Sequence, residues 1–120
     1  IRILFNTSYL QQVLNNLCGN AITHHNKALA DIRVRMHAFQ DEQNQSCLDI
    51  IDNGPGVAAD LVEQIFDPFY TTSPKGTGLG LFITKEIIES NRARIRYFPV
   101  TGGGSCFRIY FLEAAPVELA

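Results

Sequence analysis

No stretch of this 120-residue chain stays apolar for the ~20 residues a membrane span requires, and no leader with a basic start and an apolar middle opens it. Blocks of lysine or arginine are missing too. Ten basic against twelve acidic residues leave a formal charge of −2, so composition offers no nucleic-acid footprint. Cysteine is scarce: Cys18, Cys47 and Cys106 are odd in number and far apart. That excludes zinc spacing and argues against a disulfide framework, and predicts small buried thiols in a reducing compartment. Internal repeats, low-complexity segments and linkers are also lacking. An initiator Met is absent before Ile-Arg-Ile-Leu-Phe, which suggests a piece of a longer protein whose other parts can carry membrane spans.

What is present is the balance of one soluble globular domain, with 46% hydrophobic and 18% charged residues. Arg2 to Phe5 reads as a short edge strand. Asn6, Thr7 or Ser8 can cap a helix from Tyr9 to about His24, in which Leu10, Val13, Leu14, Leu17 and Ala21 keep helical spacing. Alternation from Ile32 to Ala38 and the run Cys47 to Ile51 predict a hairpin of two strands. A short helix is expected over Ala59 to Phe66. A longer one follows from Gly80 to Ser90, with Leu81, Phe82, Ile83, Ile87 and Ile88 inward. Arg94 to Val100 and Cys106 to Leu112 would be strands joined across Thr101-Gly102-Gly103-Gly104. The pattern predicts an α/β (α+β) two-layer sandwich: a mixed sheet under helices on one face. The domain is expected to fill residues 1–112, with a frayed tail at 113–120.

Between Asp52 and Leu81 lie five of the nine glycines, in two clusters. Asp52-Asn53-Gly54-Pro55-Gly56 follows a strand. Such a turn is ordinary turn chemistry. It is also suited to hold a base: the carboxylate would accept from an exocyclic amine such as adenine N6, and Gly54 and Gly56 would let the ring approach the backbone. Gly76-Thr77-Gly78-Leu79-Gly80 enters a helix. It can be a hinge, or a phosphate site made of backbone N–H groups and a helix N-terminus. It matches neither a Walker A loop nor a Rossmann turn. Gln12, Asn16 and Asn20 form an amide stripe on one helical face. A solvated face is the bland account; carboxamide oxygens one turn apart also suit Mg²⁺, with Asn20 the ligand and Asn16 in support. Phe66 and Phe69 read as core anchors at the base of a lid, Tyr70 to Lys75. His24 ends the amide helix within reach of phosphates, and His37 faces solvent.

These four blocks, in this order, resemble the ATP-binding catalytic (HATPase) domain of bacterial two-component sensor histidine kinases. That domain belongs to the Bergerat-fold superfamily of gyrase, Hsp90 and MutL. Asn16 to Asn20 is similar to the N box, Asp52 to Gly56 to G1, Phe66 to Phe69 to the F box and Gly76 to Gly80 to G2. Phe69-Tyr70-Thr71-Thr72 before the glycines resembles NtrB-type kinases, and Glu89 to Arg94 the PilS kind. The resemblance implies a mixed sheet of about five strands with about three helices on one face. Under it Asp52 holds the adenine amine, Asn20 holds Mg²⁺, Asn16 assists, Gly76, Gly78 and Gly80 lie by the phosphates, and Ser105 reaches adenine through water. Many relatives carry Lys and Tyr where this chain has Thr23 and His24; Lys75 is the cation that can compensate.

Gyrase-like members have Glu where Asn16 stands, and an amide cannot act as general base. The resemblance therefore implies a kinase that holds ATP and Mg²⁺ and passes the γ-phosphoryl group to a histidine on a separate helical dimerisation domain. A response regulator would receive it next. Neither nucleic acid nor membrane is an expected partner of this segment. A cytoplasmic location is implied, whether or not the parent is an inner-membrane sensor. A nucleotide-binding regulatory module and an anti-sigma-type serine kinase remain the alternatives.

Overall fold

A computed structural model describes residues 2–71 and 77–112. Lys75, Gly76, most of the expected lid and the tail from Glu113 to Ala120 lie outside the described residues. Helix α1 is Thr7–Thr23, capped by Asn6, whose Oδ1 accepts the Tyr9 N–H at 3.1 Å. Strands β1 (Val34–Gln40) and β2 (Ser46–Asp52) follow, then a 3₁₀ helix over Ala59–Gln64 and helix α2 (Gly80–Ser90). Strands β3 (Arg94–Pro99) and β4 (Ser105–Tyr110) complete the sheet.

The described sheet has four strands in the order β1-β2-β4-β3, and every neighbouring pair is antiparallel. The expected fifth strand, Arg2 to Phe5, amounts to a bridge at Ile3 and one bond from the Leu4 N–H to the Leu112 carbonyl at 2.8 Å. A mixed sheet was a reasonable reading, because β3 does run in the direction of β2 after the helical crossover. Strand β4 inserts between the two and makes each contact antiparallel.

Helices and sheet form two layers. Val13 and Leu17 of α1 and Ile88 of α2 are fully buried against Ile50, Ile95, Phe107 and Ile109 of the sheet. Each such side chain contributes roughly 1.5–3 kcal/mol on burial. The inward stripe of α2 departs from expectation: Ile83 is exposed and Thr84 is fully buried. Thr84 can be buried because its hydroxyl donates to the Gly80 carbonyl at 2.8 Å and accepts from Asn16. The thiols are free, with Cys47 and Cys106 buried and Cys18 half-buried. Burial, reinforced by Asp49, pushes Cys106 up to about 11, so it stays a neutral thiol near neutral pH. No helix among the described residues is long and apolar enough to cross a membrane.

Candidate nucleotide-binding site

The register of β2 against β4 places Asp52 directly opposite Ser105 at one end of the sheet. Both lie on the helix-covered face, because they alternate in phase with Ile50 and Phe107. Asp52 turns the chain: its Oδ1 accepts the Gly54 N–H at 2.8 Å, and its other oxygen has no partner among the described residues. Gly56 follows with φ +74°, and a Cβ there would lie 3.0 Å from the Gly104 carbonyl oxygen. Glycine lets the turn and the β3–β4 hairpin close on each other.

Asn53 stays out of the cleft and fixes the turn from behind. Its Nδ2 donates to the Asp31 carbonyl at 2.9 Å, and its Oδ1 accepts from the Arg33 N–H at 2.8 Å. His25 Nε2 lies 2.8 Å from the same oxygen, while His25 Nδ1 accepts the Lys27 N–H at 3.1 Å. That assigns the ring proton to Nε2. Nothing in a His-His doublet signals this clasp across 28 residues of chain.

Beside the turn opens a cleft of about 420 Å³, within the range of small-molecule sites. It brings together Asn20, His24, Asp52, Gly56, Thr77, Gly78, Gly80 and Ser105. Val57, Leu61, Ile65 and Phe107 add apolar wall to the same cleft. None of these four stands out in the sequence, because an apolar wall residue carries no motif of its own. Tyr70 and Thr71 also line it, at the start of the segment expected to form a lid. Gly54 and Leu79 are not among the residues that line it. Asn16 lines a smaller adjoining cavity of about 170 Å³ with Asn20, Thr23 and His24.

The two asparagines of α1 differ in freedom. Asn16 Nδ2 donates to Thr84 Oγ1 at 3.2 Å, which pins it to α2. The Asn20 side chain has no hydrogen-bond partner among the described residues and stands open to both cavities. Gly80 and Leu81 put the N-terminus of α2 on the cleft wall, where free N–H groups and the helix dipole favour an anion. The preceding loop is closed by the backbone: the Phe69 N–H donates to the Gly78 carbonyl at 2.8 Å. Phe69 itself corrects an expectation. Phe66 packs edge-on against Phe107 at 6.2 Å, but the Phe69 ring is 73% exposed on a backbone with φ +67°. Its main chain anchors the loop, not its ring.

A family model described as histidine kinase-, DNA gyrase B-, and HSP90-like ATPase matches residues 6–115. The chain belongs to this ATPase family. It is an ATP-binding domain of the kind found in sensor kinases. It is 46% identical over 103 residues to the sensor protein kinase PilS of Pseudomonas aeruginosa, a match covering 85% of this chain and 19% of PilS. To the histidine-protein kinase AtoS of Escherichia coli it is 37% identical over 100 residues, or 83% of this chain and 16% of AtoS. The chain thus spans less than a fifth of the length of these two relatives. The catalytic domain of the histidine kinase ThkA superposes with a TM-score of 0.75 at 29% identity, over 91% of this chain and 69% of that one. Full-length ShkA in complex with AMPPNP gives 0.75 at 29% identity, over 96% and 24%.

Proposed function

We propose that this domain binds ATP with Mg²⁺ in the cleft and serves as the catalytic module of a sensor histidine kinase. The observation that carries the reading is the pairing of two ends in one cavity. Asp52 offers a free carboxylate oxygen at the sheet end, and the N-terminus of α2 meets the open Asn20 amide at the other. Adenine would lie between the apolar walls with its amine on Asp52, and the phosphates would run toward Gly78 and Gly80. Lys75 and Gly76, outside the described residues, are assigned to the same phosphate end from the sequence alone. His24, at the C-cap of α1, faces that end too.

Asn20 supplies one neutral oxygen. That fits Mg²⁺, which keeps several waters and takes its remaining ligands from phosphates. Bound there, the ion would neutralise charge developing on the transferred group. Asn16, pinned through its amide to Thr84, holds α2 against α1 and has no basic atom with which to activate water. Such a site retains ATP until a nucleophile comes from outside. The acceptor would be a histidine on a separate helical dimerisation domain, and the phosphoryl group would pass on to a response-regulator aspartate. The likeness to PilS and AtoS, both named as sensor kinases, supports this assignment. The likeness to ShkA, solved in complex with AMPPNP, supports the nucleotide.

Calorimetric titration with ADP, with and without Mg²⁺, tests the site. Binding that tightens with Mg²⁺ is expected, and Asp52→Asn should weaken it at least about 100-fold, since a charged acceptor is lost and a donor faces the amine. No binding at millimolar ADP, or full affinity in Asp52→Asn, would sink the reading.

A further inference from the structure

Behind Asp52 and Ser105 lies a group that does not itself line the cleft. Tyr97 of β3 is buried at 8% exposure. Its ring packs edge-on against Phe107, with centroids 5.5 Å apart, and its hydroxyl lies where the Asp52 turn meets strand β4. The Val57 N–H reaches Tyr97 Oη at 2.9 Å, and Ser105 Oγ lies 3.3 Å from the same oxygen. An amide N–H can only donate, so the phenol must accept from Val57. Either hydroxyl can donate across the Ser105–Tyr97 contact. With Oη already accepting from Val57, sending the phenol proton to Ser105 Oγ is the arrangement that leaves no buried proton without an acceptor. With that proton accepted, the serine's proton is free to point into the cleft, which Ser105 lines.

We infer that Tyr97 is a base-specificity residue acting through Ser105: the relay Val57 N–H to Tyr97 O–H to Ser105 O–H fixes Ser105 as a donor toward the nucleotide base. Each hydroxyl accepts one hydrogen bond and donates one, which polarises the next. The result is an acceptor and a donor side by side on one rung, Asp52 and Ser105. The Watson–Crick edge of adenine offers the complement: the N6 amine donates and N1 accepts, directly or through one water. Guanine presents the reverse, an O6 acceptor and an N1–H donor, and mismatches both positions. Without Tyr97 the serine hydroxyl would be free to turn either way, and half of the discrimination would be lost. The inference rests on the cleft holding adenine as proposed above.

The test compares ADP, 1-deaza-ADP and GDP by calorimetry in wild type, Tyr97→Phe, Ser105→Ala and the double variant. 1-Deaza-ADP keeps the amine and lacks the N1 acceptor. In wild type it should bind about tenfold more weakly than ADP, the effect of one hydrogen bond. In Tyr97→Phe that ratio should fall toward one and the preference for ADP over GDP should shrink by a similar factor. Ser105→Ala should do the same, and the double variant should go no further than either single one. Phenylalanine keeps the ring on Phe107, so the fold should stand, as a thermal melt checks; Tyr97→Leu removes the hydroxyl by a second route. Equal affinity for ADP and 1-deaza-ADP in wild type overturns the relay. So does a Tyr97 variant that weakens every nucleotide by one common factor, which is what a merely structural role would give. Wild type that binds no ADP overturns the adenine site and the relay together, whereas tight ADP binding with unchanged ratios overturns the relay alone.

Discussion

Asp49 and Arg108 lie opposite each other on β2 and β4, on the sheet face that the helices leave open. The carboxylate is buried at 5% exposure, and the guanidinium grips it with two bonds, Nε to Oδ1 at 2.7 Å and Nη2 to Oδ2 at 2.9 Å. Phe39 and Phe98 cover the guanidinium with ring centroids 4.9 and 5.0 Å away. The bond from Asp49 raises the Arg108 pKa further above its usual value, so the cation persists at any working pH. A planar fork between two rings is a place where lysine is no substitute. Arg108→Ala would leave a buried carboxylate alone. A loss of about 2–3 kcal/mol is expected from urea unfolding, set below the full cost of a buried pair because Arg108 is partly exposed. Arg108→Lys should recover less than half of it. A change under about 0.5 kcal/mol in the alanine variant, the level of an ordinary surface substitution, would show that the pair is no more than a surface contact.

A backbone bond from the Phe69 N–H to the Gly78 carbonyl ties the segment after the 3₁₀ helix to the residues that enter α2. Gly78 holds φ +73°, and a Cβ built there collides with the Phe69 main chain. Gly78→Ala must therefore break the Phe69–Gly78 bond or rotate the residue out of its region, at about 1–3 kcal/mol locally. Because α2 starts two residues later, its N-terminus should shift and ADP affinity should fall at least about tenfold, since each 1.4 kcal/mol is a factor of ten. The melting temperature should move little, as the core lies elsewhere. Unchanged ADP affinity in a folded variant would detach this loop from the site. From the sequence, Gly76, Gly78 and Gly80 read as a hinge or a phosphate site; the structure adds that Gly78 holds a positive φ with no room for a Cβ. Helix α1 was legible because its apolar spacing and its Asn6 cap are local signals. What escaped was long-range. Insertion of β4 between β2 and β3 leaves no mark on spacing, and burial of Thr84 depends on partners that periodicity does not encode. Phe69 was misread because an aromatic beside a loop was taken for an anchor.

At the scale of the whole domain, the function proposed above divides the chemistry between this chain and an acceptor outside it. Among the described residues lining the cleft, Asp52 is the sole carboxylate, and it stands at the end assigned to adenine. The end assigned to the phosphates offers amides, backbone N–H groups and His24, with no carboxylate to activate water. The domain's own histidines are poor acceptors by position. His25 is held by Asn53 and Lys27, and His37 stacks on Phe39 at 5.1 Å on the sheet's open face. His24 lines the cleft from the C-cap of α1, so its position is set by the helix rather than by a separate mobile domain that could bring an acceptor in line. Incubated with γ-labelled ATP, the domain alone should therefore acquire no label and release little phosphate. Label should appear on a helical histidine domain supplied in trans, and Asn20→Ala should cut that transfer at least about 100-fold, as expected when a metal that positions and stabilises the transferred group is lost. Rapid phosphate release by the isolated chain would place it with the hydrolases of its family. Label on a partner's serine would instead make it a serine kinase.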